Sequence, residues 1–211
     1  MRIASPSGEI EILGFRYFPD FLDRPAQEAL ARAIRDVVRA APLFQPTMPK
    51  TGKPFSVRMS NCGELGGVSD KAGGYRYQPT HPATGAAWPP IPAPVMDIWH
   101  AVADYPHPPQ ACLINWYEPE ARMGLHQDRD EADLAAPVVS ISLGDSCRFR
   151  VGGDRREAAT KSFELRSGDV VVFGGAARLG FHGVDRILPG TSTLLDAPGR
   201  VNLTLRRVTS P

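Results

Sequence analysis

His126-Gln127-Asp128, followed far downstream by a lone His182 and then by Arg200 and Arg206, is the part of the chain best equipped for chemistry. Two imidazoles and one carboxylate in H-x-D…H order form the donor set that holds ferrous iron on one face and leaves its other positions open. A structural metal site would be closed instead. An H-x-D tripeptide alone is common in solvated turns, so its meaning depends on the residues around it.

In the last apolar-alternating segment, Val201, Leu203 and Leu205 interleave with Arg200, Asn202, Thr204 and Arg206, so a strand puts both arginines and the asparagine on one face. On a solvated sheet that pattern is trivial. If the sheet closes with that face inward, two buried guanidinium groups require an anion, and a dicarboxylate fits. The segment 111–117 repeats the logic, with Leu113, Asn115 and Tyr117 on one face and Cys112, Ile114 and Trp116 on the other. Asn115 and Tyr117 then offer neutral hydrogen bonds to a bound acid, although taken alone they read as a satisfied core amide and an edge phenol. His126 and Asp128 share parity and can converge. His182 sits in Gly180-Phe181-His182-Gly183, where small neighbours permit close backbone approach. His81, His100 and His107 have no such context and read as structural or surface residues.

These groups need a scaffold. Asp23 and Pro25 are helix start signals, and Ala29, Leu30, Ala33, Ile34, Val37 and Val38 follow at helical spacing, with Arg32, Arg35 and Arg39 on the solvated face. From Ala41 to Pro94 the chain is rich in Pro, Gly, Ser and Thr, with Phe55, Tyr75, Tyr77 and Trp88 interspersed, and reads as an irregular lid. Val95, Ile98, Trp99 and Val102 restore helical spacing before Pro106, Pro108 and Pro109. Beyond Gln110, short strands are expected at 111–117, 137–143, 147–151, 161–165, 169–173, 192–196 and 200–207. Such spacing indicates an antiparallel sandwich or jelly roll. There is no G-x-G-x-x-G motif, no Walker loop and no internal repeat.

With 211 residues and 42% hydrophobic content, the chain suits one domain, 1–211, around a single core. A formal charge of +1 gives no global electrostatic case for nucleic acid. Of 24 basic residues only Lys50, Lys53, Lys71 and Lys161 are lysine, a bias that genome composition explains better than anion binding does. Cys62, Cys112 and Cys147 form neither a disulfide framework nor a zinc ribbon and are expected to be reduced and buried. No apolar run of leader length occurs from Met1 to Phe15, and none elsewhere is long enough to span a bilayer, so a cytoplasmic protein without membrane contact is expected.

Asn115-Trp-Tyr117, Leu125-His-Gln-Asp-Arg-Asp-Glu131, Pro137-Val-Val-Ser-Ile-Ser-Leu-Gly144, Gly168-Asp-Val-Val-Val-Phe-Gly-Gly175, Phe181-His-Gly183 and Arg200-Val-Asn-Leu-Thr-Leu-Arg206 together resemble the bacterial AlkB family. The resemblance extends upstream through Met59-Ser-Asn-Cys-Gly63 and Tyr75-Arg-Tyr77, in the family's order. It implies a mainly β chain with flanking helices (α+β): a double-stranded β-helix core at 110–207, an N-terminal helical support and a nucleotide-recognition lid at 41–94. It implies Fe(II) on His126, Asp128 and His182, with 2-oxoglutarate clamped by Arg200 and Arg206 and assisted by Asn115, Tyr117 and Asn202. O2 would then drive oxidative demethylation of an N-methylated base of the 1-methyladenine or 3-methylcytosine type, releasing succinate, CO2 and formaldehyde.

The same resemblance implies alkylated DNA, single-stranded or with the base flipped out, or RNA, as the partner of a monomer. Tyr75 and Tyr77 would meet the backbone, Asp130 would read the exocyclic amine and Arg156 would hold the nucleotide. One position departs from the family. Where the family stacks a tryptophan on the flipped base, this chain has Gly67, and such stacking is worth about 1–3 kcal/mol. Trp116 points away from Asn115 and does not replace it. Two alternatives stand beside this reading: the same oxygenase chemistry on a protein, RNA or small molecule, and a non-catalytic metal-binding jelly roll that would have no need of paired arginines.

Overall fold

Asp23 begins the first long element as expected, its carboxylate accepting the Ala26 N–H at 2.9 Å and capping helix α1 (Arg24–Ala40). The structure, a computed structural model, describes residues 8–211; the first part of the Met1–Phe15 segment, expected to hold no leader, lies outside them. Ala26, Leu30, Ile34 and Val37 form the buried stripe of α1. Helix α2 (Ala93–Val102) buries Val95, Ile98, Trp99 and Val102, and Asp104 turns the chain with φ +49° ahead of Pro106. Among the described residues no helix is long and apolar enough to cross a membrane.

The strands are β1 (Ile10–Ile12), β2 (Phe15–Phe18), β3 (Arg58–Gly63), β4 (Gly66–Asp70), β5 (Gly74–Gln78), β6 (Ala111–Tyr117), β7 (Met123–His126), β8 (Val138–Gly144), β9 (Ser146–Gly152), β10 (Thr160–Leu165), β11 (Val170–Phe173), β12 (His182–Leu188) and β13 (Arg200–Arg206). A seven-stranded sheet runs β1-β2-β11-β8-β13-β6-β3, a four-stranded sheet runs β10-β9-β12-β7, and β4-β5 is a separate hairpin. The fold is the mainly β jelly roll that the strand spacing indicated. One apolar cluster joins Phe15, Val138 and Phe173 of the large sheet to Phe149, Val151 and Val184 of the small one. A second seats α1 and α2 on the large sheet's other face through Leu30, Ile34, Ile98, Trp99, Ile114 and Leu203. The layers are therefore helices, large sheet, small sheet.

Three expectations need correction. The segment 192–196 is not a strand: the Asp145 carboxylate accepts the Thr191, Ser192 and Gly199 N–H groups and holds it as a loop. Its apolar residues, Leu194 and Leu195, pack down onto the core, which is why they imitate a strand in the sequence. Conversely, β12 escaped the period-of-two pattern because its register against β9 shifts between Val184 and Arg186, a bulge that breaks alternation. Finally, 41–94 is not irregular throughout, since β3, β4 and β5 lie within it and β3 completes one edge of the large sheet. Their small and polar residues resemble loop text, but β3 gains its strand geometry from pairing with β6.

Candidate active site

β7 and β12 are neighbours, and their register sets His126 directly opposite His182. The ring centroids are 4.5 Å apart. In each histidine Nδ1 lies 3.0 Å from a backbone carbonyl two residues earlier, Gly124 O and Gly180 O. Donation from Nδ1–H to those carbonyls leaves both Nε2 lone pairs free, the tautomer a metal ligand needs. Asp128 closes the triangle, with His126 Nε2 3.8 Å from Oδ1 and His182 Nε2 3.8 Å from Oδ2. One donor atom from each of the three residues lies within 4.8 Å of the others, a spacing suited to a single cation. Gly183 allows this approach, since a Cβ there would stand 2.7 Å from Met123 O.

The protonation states suit a cation. Burial drives the His182 imidazole down to about 4, with the neighbouring His126 adding to the effect, so the ring is neutral near pH 7. Burial alone would raise Asp128, but Arg206 and the two imidazoles outweigh it and hold the carboxyl well below the usual range. Arg206 donates to Asp128 Oδ2 at 2.7 Å through Nη2 and at 3.2 Å through Nε. Its own guanidinium is raised by Asp128 against the opposing effect of burial.

A cavity of about 270 Å³ opens beside the triad between the two sheets. Asn115 and Tyr117 from β6 and Arg200, Asn202, Thr204 and Arg206 from β13 all line it, so the face that alternation grouped is the one that points inward. Arg200 is 1% exposed. Its Nη2 donates to Ser142 Oγ at 2.8 Å, while Nε and Nη1 find no partner among the described residues. Among the described residues no carboxylate stands within ion-pair distance of it. A buried cation of this kind calls for an anionic ligand. Asn202 donates to Ser140 Oγ at 2.8 Å and accepts from Asn115 at 3.4 Å, and burial raises the Tyr117 phenol.

The residues expected at the substrate end divide. Tyr75 and Asp130 line the cavity. Burial and the adjacent Glu131 raise the Asp130 carboxyl. Tyr77 does not line the cavity, and its hydroxyl donates to Glu131. Gly67 lies under the Tyr75 hydroxyl, and a Cβ there would meet it at 2.7 Å. The missing side chain is thus the space that the Tyr75 phenol occupies. Arg156 does not line the cavity: it donates to Leu125 O at 2.9 Å and lies over the Phe181 ring. Trp116 packs on the helix side, as its parity requires. His81 is a satisfied core residue, its Nδ1 accepting the Ala83 and Thr84 N–H groups, and all three cysteines are free and buried.

Sequence reasoning missed Ser140 and Ser142, which orient Asn202 and Arg200, and the apolar walls Met59, Val68, Phe149 and Phe173. The alternation of 138–144 carried a signal for the two serines, because they share parity with each other and β8 pairs with β13.

The family model described as the 2OG-Fe(II) oxygenase superfamily matches residues 14–206. An alpha-ketoglutarate-dependent dioxygenase AlkB homolog of Caulobacter vibrioides is 53% identical over 194 residues, 92% of this chain and 87% of that protein. Alpha-ketoglutarate-dependent dioxygenase AlkB of Escherichia coli is 43% identical over 187 residues, 86% of this chain and 85% of its own length. Among solved structures, that of OsALKBH1 superposes with a TM-score of 0.77 at 32% identity, covering 94% of this chain and 100% of the other.

Proposed function

The chain belongs to the AlkB family of the 2OG-Fe(II) oxygenase superfamily, and from that premise we propose that it oxidatively demethylates N-alkylated bases of the 1-methyladenine or 3-methylcytosine type in DNA, with RNA as a second target. As a 2-oxoglutarate-dependent dioxygenase it uses Fe(II), 2-oxoglutarate and O2. His126, Asp128 and His182 are the proposed iron ligands, and bound Fe(II) supplies the centre at which O2 is activated for oxidation of the N-methyl carbon.

The observation that carries the cosubstrate assignment is the buried, unpaired Arg200 guanidinium facing the cavity beside the three ligands. A small diacid bound in the cavity would pair a carboxylate with Arg200, and Arg206, which donates to Asp128, would provide the second positive charge beside the candidate ligands. Asn115, Tyr117 and Asn202 add neutral hydrogen bonds along its length. Leu113, Phe149, Phe173 and Val184 exclude water from the reacting centre. Asp130 at the rim accepts from the exocyclic amine of the base, and Tyr75 and Tyr77 face the nucleic-acid strand. Because a stacked base cannot reach this depth, the substrate is a single strand or a flipped nucleotide. Arg156 contributes at the periphery, and the enzyme acts as a cytoplasmic monomer.

Purified protein supplied with Fe(II), 2-oxoglutarate and a 1-methyladenine or 3-methylcytosine oligonucleotide should release formaldehyde. Absence of formaldehyde with every methylated oligonucleotide overturns the substrate assignment. The bare Gly67 favours a second reading, in which the same chemistry serves a protein, an RNA or a small molecule. Succinate formation stimulated by one of these, and not by alkylated DNA, would decide for it.

A further inference from the structure

Beneath the three candidate ligands lies a buried cation that neither the motifs nor the cosubstrate assignment uses. Arg178, which follows the 3-10 turn Gly175–Ala177, is 4% exposed and spends each of its donor nitrogens on one segment of chain. Nε donates to Ala136 O at 2.8 Å, Nη2 to Glu131 Oε2 at 3.0 Å, and Nη1 to the backbone carbonyl of Asp128 itself. We infer that Arg178 is a positioning residue for the metal centre, pinning both ends and the middle of the 128–136 segment so that the Asp128 carboxylate meets the two imidazoles.

The charge arrangement gives the physical reason. Glu131 is buried between two arginines, with Oε2 on Arg178 and Oε1 3.5 Å from Arg206 Nε. Arg206 therefore stands between two carboxylates, and it remains on Asp128 because Arg178 neutralises Glu131. Without Arg178 the buried Glu131 keeps only the Tyr77 hydroxyl and the 3.5 Å contact with Arg206, and draws Arg206 away from Asp128. Asp128 then loses both its guanidinium donors and its carbonyl anchor. Arg178 also lies in the segment that leads into His182, so one side chain ties together the stretches bearing two ligands. A planar fork reaches three acceptors in fixed directions, which an ammonium cannot do.

This inference rests on His126, Asp128 and His182 being the metal ligands, and it is tested without nucleic acid. The affinity of the purified protein for Mn(II) is measured from the electron paramagnetic resonance signal of the free ion, beside the melting temperature of the metal-free protein. Arg178→Met should weaken Mn(II) binding by about 10–100-fold, the usual effect of losing an outer partner of a ligand. Arg178→Lys should recover only part of it. Arg178→Met combined with Glu131→Gln removes the carboxylate that competes for Arg206 but does not restore the Asp128 carbonyl anchor, so melting temperature should return towards wild type while Mn(II) affinity recovers only in part. The paired variant also carries the test if Arg178→Met alone does not fold. Wild-type affinity in Arg178→Met, or affinity that recovers fully together with melting temperature in the paired variant, overturns the positioning role. Failure of the wild-type protein to bind Mn(II) overturns the ligand assignment itself, and this inference with it.

Discussion

The two faces of β13 are built from alternate residues of one strand, yet they do opposite work. Towards the helices, Val201, Leu203 and Leu205 align with Trp116, Ile114 and Cys112 of β6 and with Leu143, Ile141 and Val139 of β8. That face is an apolar seam closed by α1 and α2. Towards the small sheet, Arg200, Asn202 and Thr204 align with Tyr117, Asn115 and Leu113 and with Gly144, Ser142 and Ser140. This second face is polar, lines the cavity and leaves Arg200 Nε and Nη1 without a partner among the described residues. Stability and binding are thus separated by a step of one residue along the same backbone. Damage to one face should spare the other.

The largest effect is expected on the cavity side. His126→Ala should reduce formaldehyde release to background while the circular-dichroism melt stays close to wild type, because this ring is half-exposed and packs little. A variant that retained turnover would break the functional half of the comparison. On the helix side, Leu203→Ala empties part of a fully buried seam and should lower unfolding free energy by about 2–5 kcal/mol in denaturant titration. The affinity of the folded fraction for 2-oxoglutarate should not change. If it weakened in proportion, the faces would be coupled rather than separate.

Arg200→Met is the converse test. Hydrogen bonds to charged groups contribute about 1.5–3 kcal/mol, so 2-oxoglutarate affinity by calorimetry should fall by roughly 10–100-fold. The metal-free, ligand-free protein should melt no lower than wild type, since the substitution removes a buried cation that has no carboxylate partner among the described residues. A large loss of stability would show that Arg200 belongs to the fold as much as to the ligand.

The smallest expected effect is in pH dependence. The His182 imidazole ordinarily titrates near 6.5 and is held down to about 4 in the folded protein. An unfolded chain therefore takes up this proton before the native one does, and the stability of the metal-free protein should decline as pH falls from 6.5 towards 4. Above that window the contribution is fully present. His182→Gln should flatten the slope there, and an unchanged slope would mean that other groups govern it.

Much of the site was legible because it consists of local patterns. Asn115 and Tyr117, and Arg200, Asn202 and Arg206, were assigned to shared faces from alternation alone, and the strands carry them as expected. The helices were equally plain, since capping by Asp23 and a stripe at 3.6-residue spacing are local signals. What escaped had non-local causes. β12 was obscured by a bulge that exists only against β9. Leu194 and Leu195 imitated a strand because they cover a core assembled from other parts of the chain. Arg178 has no motif, and its significance appears only where Asp128, Glu131 and Ala136 converge on it.

The chain by itself determined the kinds of donor atoms, the order in which they occur and the parity that groups them, because side-chain alternation is a property of any extended backbone. Tertiary structure decided which parity faces inward, that Arg206 rests on Asp128 while Arg200 is left for a ligand, and that Tyr75 fills the space over Gly67. Those outcomes depend on burial and charge pairing between segments far apart in sequence, and neither exists until the sheets close on each other.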